Sequence, residues 1–176
     1  MGTHKADFER DLKDFVATLR EGVSTPEGEW TIKGFIDVFK NVYTISGDTK
    51  IVSKILEIHL FPMLLKFAED KGYKLVLADH QNYYPDMTFV SCDDESRKFA
   101  LDLKTTYRIP NNPENCNGFT LGSHGQYFID RNSRKNIQFP YSEYSGHFCL
   151  GVLYDRVAKG DLDDTRKYAL EDLESI

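Results

Sequence analysis

The sequence is poor in the features that mark secreted and membrane-spanning proteins. It has 3 cysteines in 176 residues, at Cys92, Cys116 and Cys149. They are far apart and show no CxxC spacing, which argues against a disulfide framework and against a zinc site. No run of about 18 apolar residues is present, so we expect no transmembrane helix. The charged N-terminus lacks the apolar stretch of a secretory signal, so we expect a reducing cytoplasm.

A surplus of positive charge is also missing. The net charge is −6, which excludes a protein that binds nucleic acid by electrostatic attraction alone. The negative charge lies mainly at the ends, because residues 1–30 carry −3, residues 161–176 carry −4 and residues 31–160 carry +1. The centre of the chain therefore remains compatible with a DNA partner, above all through a metal site that itself needs acidic residues.

The apolar pattern predicts two long helices in the first half of the chain. Apolar residues recur at helical spacing over residues 5–21, and Gly22 favours a stop there. Residues 46–49 (SGDT) are typical of the start of a second helix that ends near Gly72. Pro62 lies inside that second segment, where we expect it to kink or break the helix.

Short β-prone runs follow the second helix. Polar, turn-forming stretches separate them, and a weak acidic helix is predicted at the C-terminus, over residues 162–176. The predicted strands are residues 73–78, 87–90, 99–103 and 148–154, and the predicted loop is residues 108–118. Helices followed by strands and a mixed tail predict an α/β domain with a mixed β-sheet flanked by helices.

The residues that carry chemistry lie on two of the predicted strands. Asp102 and Lys104 are two positions apart, so both side chains face the same side of a strand, with Leu101 and Leu103 on the core side. Asp86 stands at the start of the preceding strand. If a turn over residues 92–96 joins the two strands in a hairpin, Asp86 and Asp102 become neighbours.

Two close carboxylates and an ammonium suit a site for a hard divalent cation. The carboxylates would repel each other, and a cation removes that repulsion. Mg²⁺ prefers one or two carboxylates together with water and phosphate oxygens. Most Asp-x-Lys tripeptides, however, are solvated strand faces or salt bridges. The spacing alone therefore leaves a metal site and a plain ion pair both open.

Two segments decide between these interpretations by resemblance. NYYPDMTF at residues 82–89 and ALDLKTTY at residues 100–107 resemble the signature of the PD-(D/E)xK nuclease superfamily. The chain is similar to its type II restriction endonucleases over about residues 46–158. The resemblance implies a restriction-endonuclease-like core and a homodimer that cuts double-stranded DNA. It also implies that Mg²⁺ is the cofactor, with Mn²⁺ able to substitute, and that the products end in 5′-phosphate and 3′-hydroxyl groups.

The resemblance also implies site residues, position by position. Asp86, Asp102 and Glu57 would be the metal carboxylates, and Lys104 the catalytic lysine. Glu57 is equally compatible with an ordinary solvated helix residue. The residues that would approach DNA match polar loops, the strand beyond Lys104 and a basic cluster, where caps and surface charges are equally common. These expected DNA-binding residues are Asp48, Thr49, Lys50, Gln81, Asn82, Thr105, Thr106 and Lys135.

The resemblance divides the chain into three parts. Residues 1–45 would hold an N-terminal helix and a dimerisation-type segment, residues 46–160 the catalytic core, and residues 161–176 an acidic terminal segment. Related restriction enzymes continue beyond this point with the loop that reads base edges, so we expect the recognition subdomain to be absent. Two alternatives therefore stay open: a catalytically silent DNA-binding or dimerising fragment, and another nuclease of the superfamily such as a junction resolvase.

Overall fold

A computed structural model describes residues 2–32, 34–45, 48–80, 82–118, 125–155 and 167–169. The helices are α1 (Gly2–Val23), α2 (Thr49–Asp70) and α3 (Gln126–Ile129), with a 3₁₀ turn at Tyr141–Glu143. The strands are β1 (Gly34–Ile36), β2 (Asn41–Thr44), β3 (Tyr73–Leu77), β4 (Met87–Ser91), β5 (Lys98–Ile109), β6 (Asn112–Cys116), β7 (Tyr144–Tyr154) and β8 (Lys167–Ala169). No helix of the described residues is long and apolar enough to cross a membrane.

The main sheet is organised around β5. On one side, β5 pairs antiparallel with β4 and then, further along, with β6, while β3 pairs with the outer edge of β4. On its other side β5 pairs in parallel with β7 over almost its whole length. A mixed sheet with helices against it confirms the predicted α/β class.

One face of this sheet packs against α1 and α2. Phe8 of α1 is completely buried and stacks on Phe99 of β5, with ring centroids 4.2 Å apart. Leu60 and Leu64 of α2 are buried in the same cluster, together with Leu101. Burial of large apolar side chains is the main favourable term in folding, so α1 is an integral part of the core that supports β5.

The opposite face of the sheet carries a second, aromatic cluster. Ala100 of β5 is fully buried there against Tyr127, Ile137 and Tyr144. Because alternate residues of a strand face opposite ways, β5 is covered on both sides along its first half. This double burial restricts how β5 can move.

A separate three-stranded sheet contains β1, β2 and β8 in the order β1-β2-β8. The β1–β2 hairpin carries large apolar side chains on its surface, with Val38 90% and Phe39 82% exposed. The Asp37 carboxylate holds the turn by accepting hydrogen bonds from the backbone amides of Phe39 and Asn41, both at 2.9 Å.

Both predicted long helices are confirmed. Asp48 caps α2 by accepting a hydrogen bond from the backbone amide of Lys50 at 2.8 Å, and Gly72 follows the helix end with a φ of +73°. Of the kink or break expected at Pro62, the break is wrong, because α2 runs through this residue. Proline removes one helical hydrogen bond, and the buried Leu60 and Leu64 on either side hold the helix in the core.

Two predictions near the C-terminal half were wrong. The expected loop at residues 108–118 contains the end of β5 and the edge strand β6, where Arg108 donates to the Pro113 carbonyl at 3.1 Å. Proline is tolerated on an edge strand, so turn-rich composition concealed a hairpin. Within the expected helix at 162–176, residues 167–169 form β8, and the others lie outside the described residues.

The packing of Phe8 leads to a stability prediction. Phe8→Ala should lower the free energy of unfolding by about 3–5 kcal/mol, because it opens a cavity among Phe67, Phe89 and Phe99. Ile129→Ala is the control, since Ile129 is 82% exposed, and should change stability by no more than about 0.5 kcal/mol. Urea unfolding followed by circular dichroism measures both, and equal losses would contradict the assigned core.

Candidate active site

The register between β4 and β5 brings the two predicted carboxylates together. Met87 lies opposite Leu101 in this antiparallel pair, so Asp86, one residue earlier, lies beside Asp102, one residue later. Asp102 sits on the aromatic face of β5 and is only 7% exposed. The hairpin expected from the sequence therefore forms and places both carboxylates at one end of β4.

The Asp86 carboxylate is held by the backbone of the neighbouring strand. Its Oδ2 accepts a hydrogen bond from the backbone amide of Leu103 at 2.7 Å. Burial, followed by the negative charge of Asp102, raises the pKa of Asp86 from 3.8 to about 6, although the Leu103 amide and Lys104 oppose the rise. A carboxyl group with a pKa this high lies where an added positive charge would stabilise its ionised form.

Lys104 supplies one such positive charge. Its Nζ lies 2.5 Å from Oδ2 of Asp102, and the Lys104 side chain is 23% exposed whereas that of Asp102 is 9% exposed. The ammonium group therefore reaches the surface while the carboxylate beside it lies deeper. Asp86, Asp102 and Lys104 form one group of charges, in which one net negative charge remains when both carboxylates are ionised.

The segment before Asp86 is anchored by a distant part of the chain. Tyr84 donates its backbone amide to the Asn136 carbonyl at 3.0 Å and accepts a hydrogen bond from the backbone amide of Gln138 at 2.8 Å. The Tyr84 ring stacks on Tyr127 with centroids 5.1 Å apart. These contacts fix the chain on the N-terminal side of Asp86, as the Leu103 hydrogen bond fixes its side chain.

Strand β7 adds two residues that the spacing argument did not place at the site. Cys149 lies in register with Asp102, and burial together with the charge of Asp102 raises the pKa of its thiol. His147, two residues earlier on the same face, binds the Tyr84 hydroxyl through Nδ1 at 2.9 Å. The shared strand face of His147 and Cys149 is visible in the sequence, but their pairing with β5 is not.

Glu57 is not gathered with the two aspartates. Its carboxylate forms an ion pair with Lys54, one helical turn earlier on α2, and its side chain is 30% exposed. Within the described residues, no group of three or more His, Cys, Asp or Glu side chains is arranged to hold a metal ion. The structure therefore assembles two of the three predicted metal carboxylates.

The predicted DNA-binding residues lie in different surroundings. Asp48 caps α2, with Thr49 and Lys50 in the first turn of that helix. Thr106 is 4% exposed, and its hydroxyl donates to the Asn117 carbonyl at 2.8 Å. Thr105 is half-buried on the opposite face of β5. The Thr106 hydroxyl is thus already used within the protein.

The predicted contacts Asn82 and Lys135 lie on the two segments that meet at Tyr84. Asn82 is exposed in the turn before Tyr84, and Gln81 lies outside the described residues. Lys135 is exposed directly before Asn136, whose carbonyl binds the Tyr84 amide. No pattern in the sequence indicates that the basic cluster and the Asp86 segment are neighbours, because only the fold brings residues 84 and 136 together.

The charge group suits a hard divalent cation, although it supplies two protein carboxylates. Mg²⁺ commonly takes one or two carboxylates and completes its shell with water and phosphate oxygens. Burial first and the charge of Asp102 second raise the pKa of Asp86, and a bound cation would oppose both effects by stabilising the ionised carboxylates. Asp86 and Asp102 are therefore the residues that could hold a metal, with Lys104 beside it.

Comparison with known proteins identifies the family that the sequence resembles. The family model described as restriction endonuclease EcoRV matches residues 26–176. The chain is similar to the type II restriction enzyme EcoRV of Escherichia coli, with 36% identity over 143 residues. This match covers 81% of the chain and 54% of that relative, so the chain spans about half the length of the curated relative it matches.

The pKa of Asp86 leads to a prediction about stability and pH. In metal-free protein the folded chain keeps a proton on Asp86 up to about pH 6, whereas the unfolded chain loses it near pH 4. This contribution to stability is therefore fully present below about pH 4 and is lost as the pH rises through 6. Because asparagine cannot ionise, the stability of Asp86→Asn relative to wild type should rise by about 1–2 kcal/mol as the pH increases from 4 to 8, allowing for solvent screening.

Urea unfolding in EDTA at pH 4, 6 and 8 measures this difference. The Asp102→Asn background serves as the control, because the charge of Asp102 is one of the causes of the raised pKa. In that background the gain from Asp86→Asn should be smaller. A stability difference that stays constant across the three pH values would contradict the assigned pair.

Proposed function

The chain belongs to the EcoRV restriction endonuclease family, and on that premise we propose that it is a Mg²⁺-dependent endonuclease that hydrolyses phosphodiester bonds of double-stranded DNA. The observation that carries the proposal is the single charge group of Asp86, Asp102 and Lys104. The Leu103 hydrogen bond to Asp86 and the Lys104–Asp102 ion pair hold this group together.

Asp86 and Asp102 would hold the cation, for which Mn²⁺ can substitute. When bound, such an ion polarises the scissile phosphate and lowers the pKa of a water molecule. Lys104 places a fixed positive charge at the surface end of the group, where it stabilises negative charge that develops on the phosphate. Asp102 orients the Lys104 ammonium through their 2.5 Å contact.

The proposed reaction is the hydrolysis of a phosphodiester bond by water. The oxygen of a water molecule forms a bond to phosphorus, the bond between phosphorus and O3′ breaks, and O3′ leaves with a proton. The products carry 5′-phosphate and 3′-hydroxyl ends. The double burial of β5 supports this chemistry, because a rigid strand keeps the reacting groups in position without reorganisation.

The duplex would lie across the surface next to Asp86. Asn82 and Lys135 are exposed on the two segments that meet at Tyr84, and the expected contact of Gln81 lies outside the described residues. Lys50 and Thr49 lie at the amino-terminal end of α2, where phosphates are favoured. Asp48 caps that end, and Thr105, which lies on the face of β5 opposite the charge group, is not among the contacts we propose. Phosphate contacts of this kind position DNA without reading its sequence.

We further propose that the protein works as a homodimer through the β1–β2 hairpin. Phe35, Ile36, Val38, Phe39 and Tyr43 are all at least 41% exposed on this short segment. Contiguous apolar side chains on a surface mark interaction sites. A second copy of the chain is the partner we expect on this hairpin. Two equivalent sites related by a two-fold axis match the symmetry of duplex DNA, as an enzyme that cuts both strands requires.

Substitutions in the charge group should abolish cleavage. Asp102→Asn and Lys104→Met should each lower Mg²⁺-dependent nicking of supercoiled plasmid by about a hundredfold or more, because each removes a group required at the transition state. EDTA should stop cleavage completely. Glu57→Gln, which changes a carboxylate paired with Lys54, should have a smaller effect than Asp102→Asn.

Asp70→Asn and Lys66→Gln are the matched controls, since these residues form an exposed ion pair on α2. They should leave cleavage unchanged. Full cleavage by Asp102→Asn or Lys104→Met would overturn the assigned site. Duplex binding without cleavage in either Mg²⁺ or Mn²⁺ would instead indicate a DNA-binding module without catalytic activity.

The dimer leads to a prediction of its own. Phe39→Asp should shift the protein from dimer to monomer in sedimentation velocity, because it places a charge in the centre of the exposed apolar hairpin. Ile129→Asp introduces the same charge at another side chain that is 82% exposed and should leave the dimer intact. Wild-type protein that sediments as a monomer at micromolar concentration would refute the dimer.

A further inference from the structure

A polar cavity of about 380 Å³ opens beside the start of β7, outside the group of Asp86, Asp102 and Lys104. Lys5 of α1 and Arg131 lie on its walls, with Tyr141, Ser142, Ser145 and His147. It is far too large for a single water molecule, and its lining is too polar for an apolar ligand. Its side chains therefore define the chemistry of what it can hold.

The charge of this cavity is positive and not neutralised. No Asp or Glu lines it, and within the described ranges neither Lys5 nor Arg131 forms an ion pair. Two acids close in sequence to the lining residues pair with other cations: Glu143 with Lys98 and Arg134, and Glu9 with Lys13, while Lys5 acts on Glu9 only through space. The Arg131 guanidinium lies over the Tyr141 ring, 5.6 Å from its centroid, at a distance where cation and ring attract each other.

His147 forms an aromatic part of the same wall. The imidazole stacks on Tyr141 with centroids 3.7 Å apart, and its Nδ1 is hydrogen-bonded to the Tyr84 hydroxyl. Burial lowers the pKa of this imidazole to about 4, so the positive charge of the cavity comes from Lys5 and Arg131.

The cavity lies on the strand that also borders the candidate active site. His147 precedes Cys149 by two residues, and Cys149 is in register with Asp102. Two residues of a strand span about 7 Å. The cavity and the charge group are thus neighbouring positions along one rigid strand, one positive and the other negative.

We propose that this cavity binds a phosphoryl group, held by Lys5 and Arg131 with hydroxyl donors from Ser142 and Ser145. An arginine fork with a lysine and hydroxyl groups matches the oxygens of a phosphate. Resting on the proposed function, the phosphoryl group is a backbone phosphate of the DNA substrate other than the one that is cleaved. This contact sets the position of the duplex relative to Asp102.

The first test uses inorganic phosphate and the metal-free full chain, with binding measured by calorimetry. Wild type should bind phosphate, and Lys5→Gln and Arg131→Gln should each weaken binding by about tenfold. Lys66→Gln and Arg10→Gln remove the same charge from exposed ion pairs outside the cavity and should bind like wild type. All four changed side chains are exposed, so circular dichroism should confirm unchanged folding.

Failure to bind phosphate, or equal binding by all four variants, would overturn the site. The second test distinguishes the source of the phosphoryl group. An uncleaved duplex in EDTA should displace phosphate, and Arg131→Gln should reduce the salt dependence of duplex binding by about one unit in the logarithmic slope. Phosphate that stays bound with the duplex present, with an unchanged slope, would refute a backbone phosphate and indicate a site for free phosphate.

These outcomes are separate from those that test the nuclease assignment. Asp102→Asn should lose cleavage yet keep its affinity for phosphate, because Asp102 does not line the cavity. Loss of cleavage in Lys5→Gln with unchanged phosphate affinity would contradict the cavity and leave the charge group untouched. Phosphate binding in a chain that cuts no DNA would refute the nuclease and leave the anion site standing.

Discussion

The arrangement of the site depends on the antiparallel ladder between β4 and β5. That ladder sets Met87 against Leu101 and directs the backbone amide of Leu103 to the Asp86 carboxylate at 2.7 Å. Two carboxylates placed this close repel each other, so the pair does not form for its own stability. The packing of the strands against Phe8 and α2 holds the two carboxylates together. The pKa of Asp86 is raised there, first by burial and then by the charge of Asp102.

Strand β5 connects the core to the charge group, because one of its faces carries apolar core residues and the other carries Asp102 and Lys104. Phe99, Leu101 and Leu103 enter the core with α1 and α2. The intervening side chains, from Ala100 through Asp102 to Lys104, lie on the other face, where Tyr84, Tyr127 and Tyr144 surround the first of them. A strand buried on both sides cannot slip by one residue without exchanging core and charged residues, so the register of the site is strongly specified.

Strand β7 extends the same face beyond the predicted site. Its parallel pairing with β5 sets Cys149 beside Asp102 and His147 beside Ala100. The hydroxyl of Tyr84 then joins His147 to the segment that carries Asp86. The negative charge group and the positive cavity therefore border the same strand pair, although the charges of the cavity come from Lys5 of α1 and from Arg131.

The sequence by itself determined the two long helices, the α/β class and the strand face shared by Asp102 and Lys104, because periodicity and side-chain alternation are local properties. It also pointed to Asp86, through the motif and the turn expected at residues 92–96. The hairpin at residues 108–118 was missed, because its composition signals turns while the ladder with β5 supplies its stability. Only the tertiary structure decided that residue 84 meets residues 136–138, that Glu57 pairs with Lys54, and that β7 brings His147 alongside. The contacts of residue 84 and the placement of β7 join residues far apart in the chain, and burial and strand pairing across the whole fold select them. The Glu57–Lys54 pair is local, but which of its possible partners Glu57 meets depends on where α2 packs.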